Sequence, residues 1–169
     1  MATLGDVFEE LNGLKEAGVI RDYALGGATA VLFYAEPTRT YDVDVFVSVT
    51  QSRGSFLVSL APIYDWARSR GFAEEAEHIF IHGVPVQFLA PHNALAEEAV
   101  ASARTLDYEG TPVRVIGPEH LAALAFQTGQ ARHRERGWLL MESETFDSEK
   151  LRGLLSAHGI STKVAGHEE

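Results

Sequence analysis

Between Thr40 and Val49 the chain reads TYDVDVFVSV, with Val43, Val45, Val47 and Val49 alternating against Asp42, Asp44, Phe46 and Ser48. Successive side chains of a strand point to opposite faces, so this stretch is expected to form a strand with one apolar face and one face carrying both acids. Spaced two apart, the carboxylates sit with their Cβ atoms about 6.6 Å from each other, twice the strand rise. When both are ionised they repel, and a fold tolerates them most easily where a cation or basic group compensates. Hard oxygen donors favour Mg²⁺ or Mn²⁺, ions that keep waters and substrate phosphates in their remaining positions. Asp42 and Asp44 are the expected metal ligands, although such a pair taken alone is as readily a solvated strand end.

Upstream, a short strand over residues 20–25 runs into Gly26-Gly27, followed by a helical stretch from Ala28 to about Ala35 that stops before Pro37. Glycines let a backbone approach a ligand closely, and N–H groups at a helix start favour an anion. Thr29 offers a hydroxyl donor. Arg39 and Thr40 immediately precede the acids, within reach of phosphate oxygens, while a guanidinium three residues from Asp42 serves equally to balance local charge.

The remaining pattern gives a helix through Val7, Phe8, Leu11 and Leu14 closed by Gly18, and another from Phe56 to Gly71. Strands follow at 78–81 and 84–89 around a His82-Gly83 turn, then a helix capped by Asn93, and strands at 105–108 and 113–116. Helices start at Gly117-Pro118 and at Asp147, the latter ending at Gly159. With no repeat or linker, the expected architecture is one α/β (α+β) domain over 1–160, a mixed sheet flanked by helices with a C-terminal helical portion. Residues 161–169 lack apolar anchors and are expected to be a disordered tail.

Neither the glycine turn nor the acid pair is specific alone, but their order is informative. Strand, Gly-Gly, helix, then an alternating strand bearing Asp-x-Asp, here LGGATAVLFYAEPTRTYDVDVFV, resembles the nucleotidyltransferase superfold of the DNA polymerase beta type. From about Tyr23 to Leu89 the chain is similar to minimal prokaryotic nucleotidyltransferases resembling abortive-infection and toxin–antitoxin toxins. That resemblance implies catalytic Asp42 and Asp44 holding the metal, a nucleoside triphosphate at Gly26 and Gly27, and transfer of a nucleoside monophosphate to a hydroxyl with loss of pyrophosphate. An RNA, protein or small-molecule acceptor and a cognate antitoxin are the partners it implies.

One departure from the family pattern matters. Active relatives usually carry a third carboxylate on a later strand, where the counterpart here, within Val84-Pro85-Val86-Gln87-Phe88-Leu89, is Gln87. An amide coordinates a hard cation but is neutral and a poor base. Either another acid substitutes, with Glu77 and Asp107 as candidates, or turnover is slow or lost. The alternative expectation is therefore a catalytically degenerate nucleotide- or partner-binding module.

The net charge of −10 repels polyanions, so long duplex DNA is not an expected partner. A nucleotide remains compatible, because a chelated dication inverts the local potential. Cysteine is absent, which removes thiolate metal sites and cysteine nucleophiles. No apolar run approaches the roughly 20 residues that span a bilayer, and Met1-Ala2-Thr3-Leu4-Gly5-Asp6 offers no secretory pattern, so a cytoplasmic protein without a membrane role is expected. His78 and His82 read as flanking a hairpin turn more than as a metal pair. In the basic cluster Arg132, His133, Arg134 and Arg136, a helix would put Arg132 and Arg136 on one side, either gripping phosphate or simply solvated. Trp66 and Trp138 read as packing residues.

Overall fold

The computed structural model describes residues 3–35, 42–49 and 59–161. The chain opens with α1 (Leu4–Glu16), whose start is fixed reciprocally: Thr3 Oγ1 accepts from the Asp6 amide while the Asp6 carboxylate accepts from the Thr3 amide. Its buried stripe is Val7, Phe8, Leu11 and Leu14. The core motif follows as β1 (Asp22–Gly26), α2 (Gly27–Val31) and β2 (Val43–Ser48). After α3 (Ala61–Ser69) come β3 (Ala73–Glu75), β4 (His78–Ile81) and β5 (Val84–Leu89), then α4 (Ala94–Ala101), β6 (Arg104–Tyr108) and β7 (Thr111–Val115). Three helices finish the described chain: α5 (Pro118–Thr128), α6 (Ala131–Met141) and α7 (Ser148–Ala157).

The expected elements are present with small differences. β4 and β5 have the expected bounds, joined at His82 and Gly83, both at positive φ (49° and 81°), as a two-residue hairpin turn requires. Helix α2 is shorter than expected; its hydrogen-bonded turns continue to Ala35, but the α-helix ends at Val31. Strand β3 was not expected, because Ala73-Glu74-Glu75 is exposed throughout and carries no alternation; it exists by pairing antiparallel to β4. The second strand, expected from Thr40, starts at Val43 with Asp42 in a bend just before it, while residues 40 and 41, the expected helix start at Phe56 and the tail from 162 onward lie outside the described residues.

The strands form a seven-stranded mixed sheet in the order β3-β4-β5-β2-β1-β7-β6. Beside it, seven helices among the described residues complete an α/β architecture. Val43, Val45 and Val47 of β2 are buried, and they join α1 and the central strands in one apolar cluster. Register has the larger consequence. β1 runs antiparallel to β2 with Gly26 opposite Asp44, β2 runs parallel to β5 with Asp44 beside Gln87, and β4 runs antiparallel to β5 with Gln87 beside His78. Cross-strand neighbours share a face, so Gly26, Asp44, Gln87 and His78 make one row across four adjacent strands.

The C-terminal helices are locked together and to the rest. Buried Glu119 on α5 accepts from the Asp147 amide at 3.1 Å, which ties in the start of α7. On α6, Gly137 lies under the Phe126 ring of α5, where an added Cβ would come within 2.9 Å of the ring. Gly137→Ala should therefore destabilise the protein by about 1–3 kcal/mol through overpacking, despite the roughly 1 kcal/mol that alanine gains in helix propensity. Thermal denaturation checks this, and a rise in Tm would contradict the packing described.

Candidate active site

Both glycines of the turn are required by the side chains facing them. Gly27 adopts the left-handed φ of 57°, and a Cβ on it would lie 2.1 Å from Asp44 Oδ2 and 3.0 Å from its Cγ. A Cβ on Gly26 would lie 2.6 Å from the Phe46 ring. The acid-bearing face of β2 thus rests directly on the turn, with the Asp44 carboxylate in the space a side chain at 27 would fill. Thr29 is 1% exposed, and its hydroxyl donates to the Asp42 carbonyl at 3.0 Å. It fastens the approach to β2 onto α2.

Electrostatics at the pair are those of an under-compensated site. Asp44's carboxyl is pushed above the usual carboxylate range, first by burial and then by the Asp42 charge, against opposing pulls from Arg136 and His78. Asp42 is more open, and its Oδ2 lies 3.1 Å from His78 Nε2. This donor set fits a hard dication: two electrostatically coupled carboxylates, one of them desolvated and repelled by its neighbour, gain most from a cation between them. Among the described residues no three Asp, Glu or His groups converge as a ready metal cage.

The other expected participants separate. Gln87 stands beside Asp44 in the parallel register, at the position where an acid was sought. Neither proposed substitute reaches it: Glu77 is exposed in the turn before β4, and Asp107 lies on edge strand β6, beyond β1 and β7, where it accepts from the Gly110 amide. Arg39 and Thr40 lie outside the described residues. His82 turns away to Glu10 at 3.0 Å, so the two histidines make no common site. Trp66 packs on Phe72, while Trp138, 46% exposed, meets Phe126 edge-on.

Beside Asp44 and Gly27 opens a cavity of about 470 Å³, walled by residues of α2, β2, β5, α5 and α6. From the basic cluster it receives His133 and Arg136, one helical turn apart, and not Arg132. Sequence periodicity could not supply that choice, since it depends on how α6 rotates against α5. His78's contact with Asp42 was likewise hidden, although its place opposite Gln87 follows once the hairpin register is known.

No family model matches the sequence, and no curated protein matches it. Solved structures do. ANT(2″)-Ia in complex with adenylyl-2″-tobramycin is similar at 16% identity with a TM-score of 0.58, over 92% of this chain and 97% of that one. An antigenic nucleotidyltransferase-like protein from Paracoccidioides brasiliensis is similar at 17% identity with a TM-score of 0.55, over 92% and 86% of the two chains. The solution structure of the antibiotic-resistance factor ANT(2″)-Ia gives 15% identity and a TM-score of 0.55, over 92% and 91%. The chain therefore has a nucleotidyltransferase-like fold.

The packing and charge at Asp44 give opposed expectations for two variants of the metal-free protein. Folding raises the Asp44 pKa, so the native state holds that proton more tightly than the unfolded chain, and stability falls as pH climbs through the folded value. Asp44→Asn should abolish that fall and raise Tm at neutral pH by a few degrees. Gly27→Ala should lower stability by at least the roughly 1–2 kcal/mol of a left-handed non-glycine residue. Melting curves from acid to neutral pH decide both, and an Asp44→Asn variant less stable at neutral pH would contradict the desolvated charge.

Proposed function

We propose that the protein is a metal-dependent nucleotidyltransferase, moving a nucleoside monophosphate from a nucleoside triphosphate to a hydroxyl acceptor. The observation that carries this reading is the seating of Asp44 on Gly27, with Asp42 immediately before the same strand. It joins an acid pair to a glycine turn within a nucleotidyltransferase-like fold.

In this reading Asp42 and Asp44 hold Mg²⁺ or Mn²⁺, which when bound neutralises charge on the triphosphate. Gly26 and Gly27 are assigned to the triphosphate through their backbone N–H groups at the start of α2, since Phe46 and Asp44 take the space where side chains would stand. Thr29 acts by positioning, through its bond to the Asp42 carbonyl, and Arg39 and Thr40 are assigned to the phosphates from their place before the acids. Gln87 offers an amide oxygen beside Asp44 and takes no proton from the acceptor. Rate enhancement then rests on orientation and charge neutralisation.

The acceptor is an RNA, a protein or a small molecule. A structural neighbour bound to an adenylylated aminoglycoside supports a small hydroxylated acceptor on this architecture. A toxin role with a cognate antitoxin rests on the sequence resemblance. A cytoplasmic site of action, where nucleoside triphosphates are made, goes with either role. Gln87 in the acid's register favours a second reading, a catalytically degenerate module that binds a nucleotide or a partner without turnover.

Calorimetric titration of each nucleoside triphosphate with and without Mg²⁺ or Mn²⁺, paired with α-labelled transfer assays, tests the site. Binding should require the metal and weaken by about 10–100-fold in Asp42→Asn and Asp44→Asn, with transfer lost in Asp44→Asn. Metal-independent binding untouched by both changes would refute the assignment. Tight metal-dependent binding without transfer to any acceptor class would establish the degenerate module.

A further inference from the structure

The cavity beside Asp44 has the size of a small-ligand site, about 470 Å³, within the 300–1,000 Å³ or so of such pockets. Its wall is aliphatic and aromatic: Val31, Phe46, Leu89, Leu121, Leu124 and Leu140. Polar groups are few and can orient a ligand, among them Asn93, whose Nδ2 donates to Gln127 Oε1 at 3.0 Å. At one point the lining includes Gly27 and Asp44, where phosphate and metal would meet under the function proposed above.

Charge narrows the occupant further. Among the described lining residues Asp44 is the one carboxylate and Arg136 the one formal cation. His133, in the same wall, has its pKa lowered by burial and by the Arg136 and Arg132 charges, which disfavour a second positive charge there. With Asp44 engaged by a metal, an ammonium group here finds no counter-charge and faces a guanidinium. The protein's negative total draws polycations towards its surface, but the described lining offers no second carboxylate with which to hold them.

We infer that this cavity is the acceptor subsite, and that it takes a small uncharged or anionic alcohol with an apolar body in preference to a polyamine. This rests on the nucleotidyl-transfer reading. In the reaction the alcohol oxygen bonds to the α-phosphorus as the bond from that phosphorus to the pyrophosphate oxygen breaks. The hydroxyl proton passes to water, and pyrophosphate leaves.

The test uses 2-(2-naphthyl)ethanol as probe, with tobramycin and a short oligoribonucleotide as competitors, on the full chain with Mg²⁺ and a non-hydrolysable triphosphate. Calorimetry should show the naphthyl alcohol binding, and Leu124→Trp, which fills the cavity, should weaken it at least about tenfold while metal-dependent nucleotide binding persists. Leu124→Ala guards against a folding artefact, since enlarging the cavity should shift preference towards the bulkier 2-(9-anthryl)ethanol. Labelled transfer should follow the same order. Tighter binding of tobramycin or of the oligoribonucleotide, no binding of the alcohol, or loss of nucleotide binding in Leu124→Trp would each overturn the inference. Absence of metal-dependent nucleotide binding in the parent protein would instead remove the transfer reading on which it rests, so the two failures are distinct.

Discussion

The contact between the Asp44 carboxylate and the backbone of Gly27 holds the site together. It requires a residue without a side chain, in a left-handed conformation, at the point where β1 becomes α2. It also requires β2 to lie antiparallel to β1 in the register that sets Asp44 against Gly26. A one-residue slip of β2 would turn both acids into the apolar layer and Val43 and Val45 towards the turn. Burial of the valines therefore enforces the position of the carboxylates, and core stability and site geometry share one cause.

The protein bears an electrostatic cost at this point. A desolvated carboxylate beside a second one raises the free energy of the ionised native state, and Arg136 and His78 offset it only in part. Strain of this kind gathers where a ligand relieves it. The neutral amide of Gln87 reduces the repulsion relative to a third acid, at the expense of basicity. The apolar chamber next to Asp44 works in the same direction, because low polarity strengthens whatever interaction replaces the missing water.

Much of this was legible in the chain itself. Alternating valines identified β2 and its acid face, since a period of two is unambiguous when four β-branched residues keep it. His82-Gly83 marked a hairpin whose strands have the expected bounds. Thr29 illustrates what is not legible: its residue type offers a hydroxyl donor, but the bond of that hydroxyl to the Asp42 carbonyl depends on where two elements meet. The same holds for His78 at Asp42, for Phe46 over Gly26, and for His133 with Arg136 facing the cavity. Strand β3 escaped because an exposed edge strand is specified by its partner's backbone and leaves no hydropathy pattern.

The most direct test of the coupling between turn and acid pair is a crystal structure of the full chain with Mn²⁺ and a non-hydrolysable nucleoside triphosphate, with the ion located by its anomalous signal. The expected result is manganese bonded to carboxylate oxygens of both Asp42 and Asp44, with a phosphate against Gly26-Gly27. Manganese bound elsewhere, or a triphosphate lodged away from the turn with the two acids uncoordinated, would contradict it.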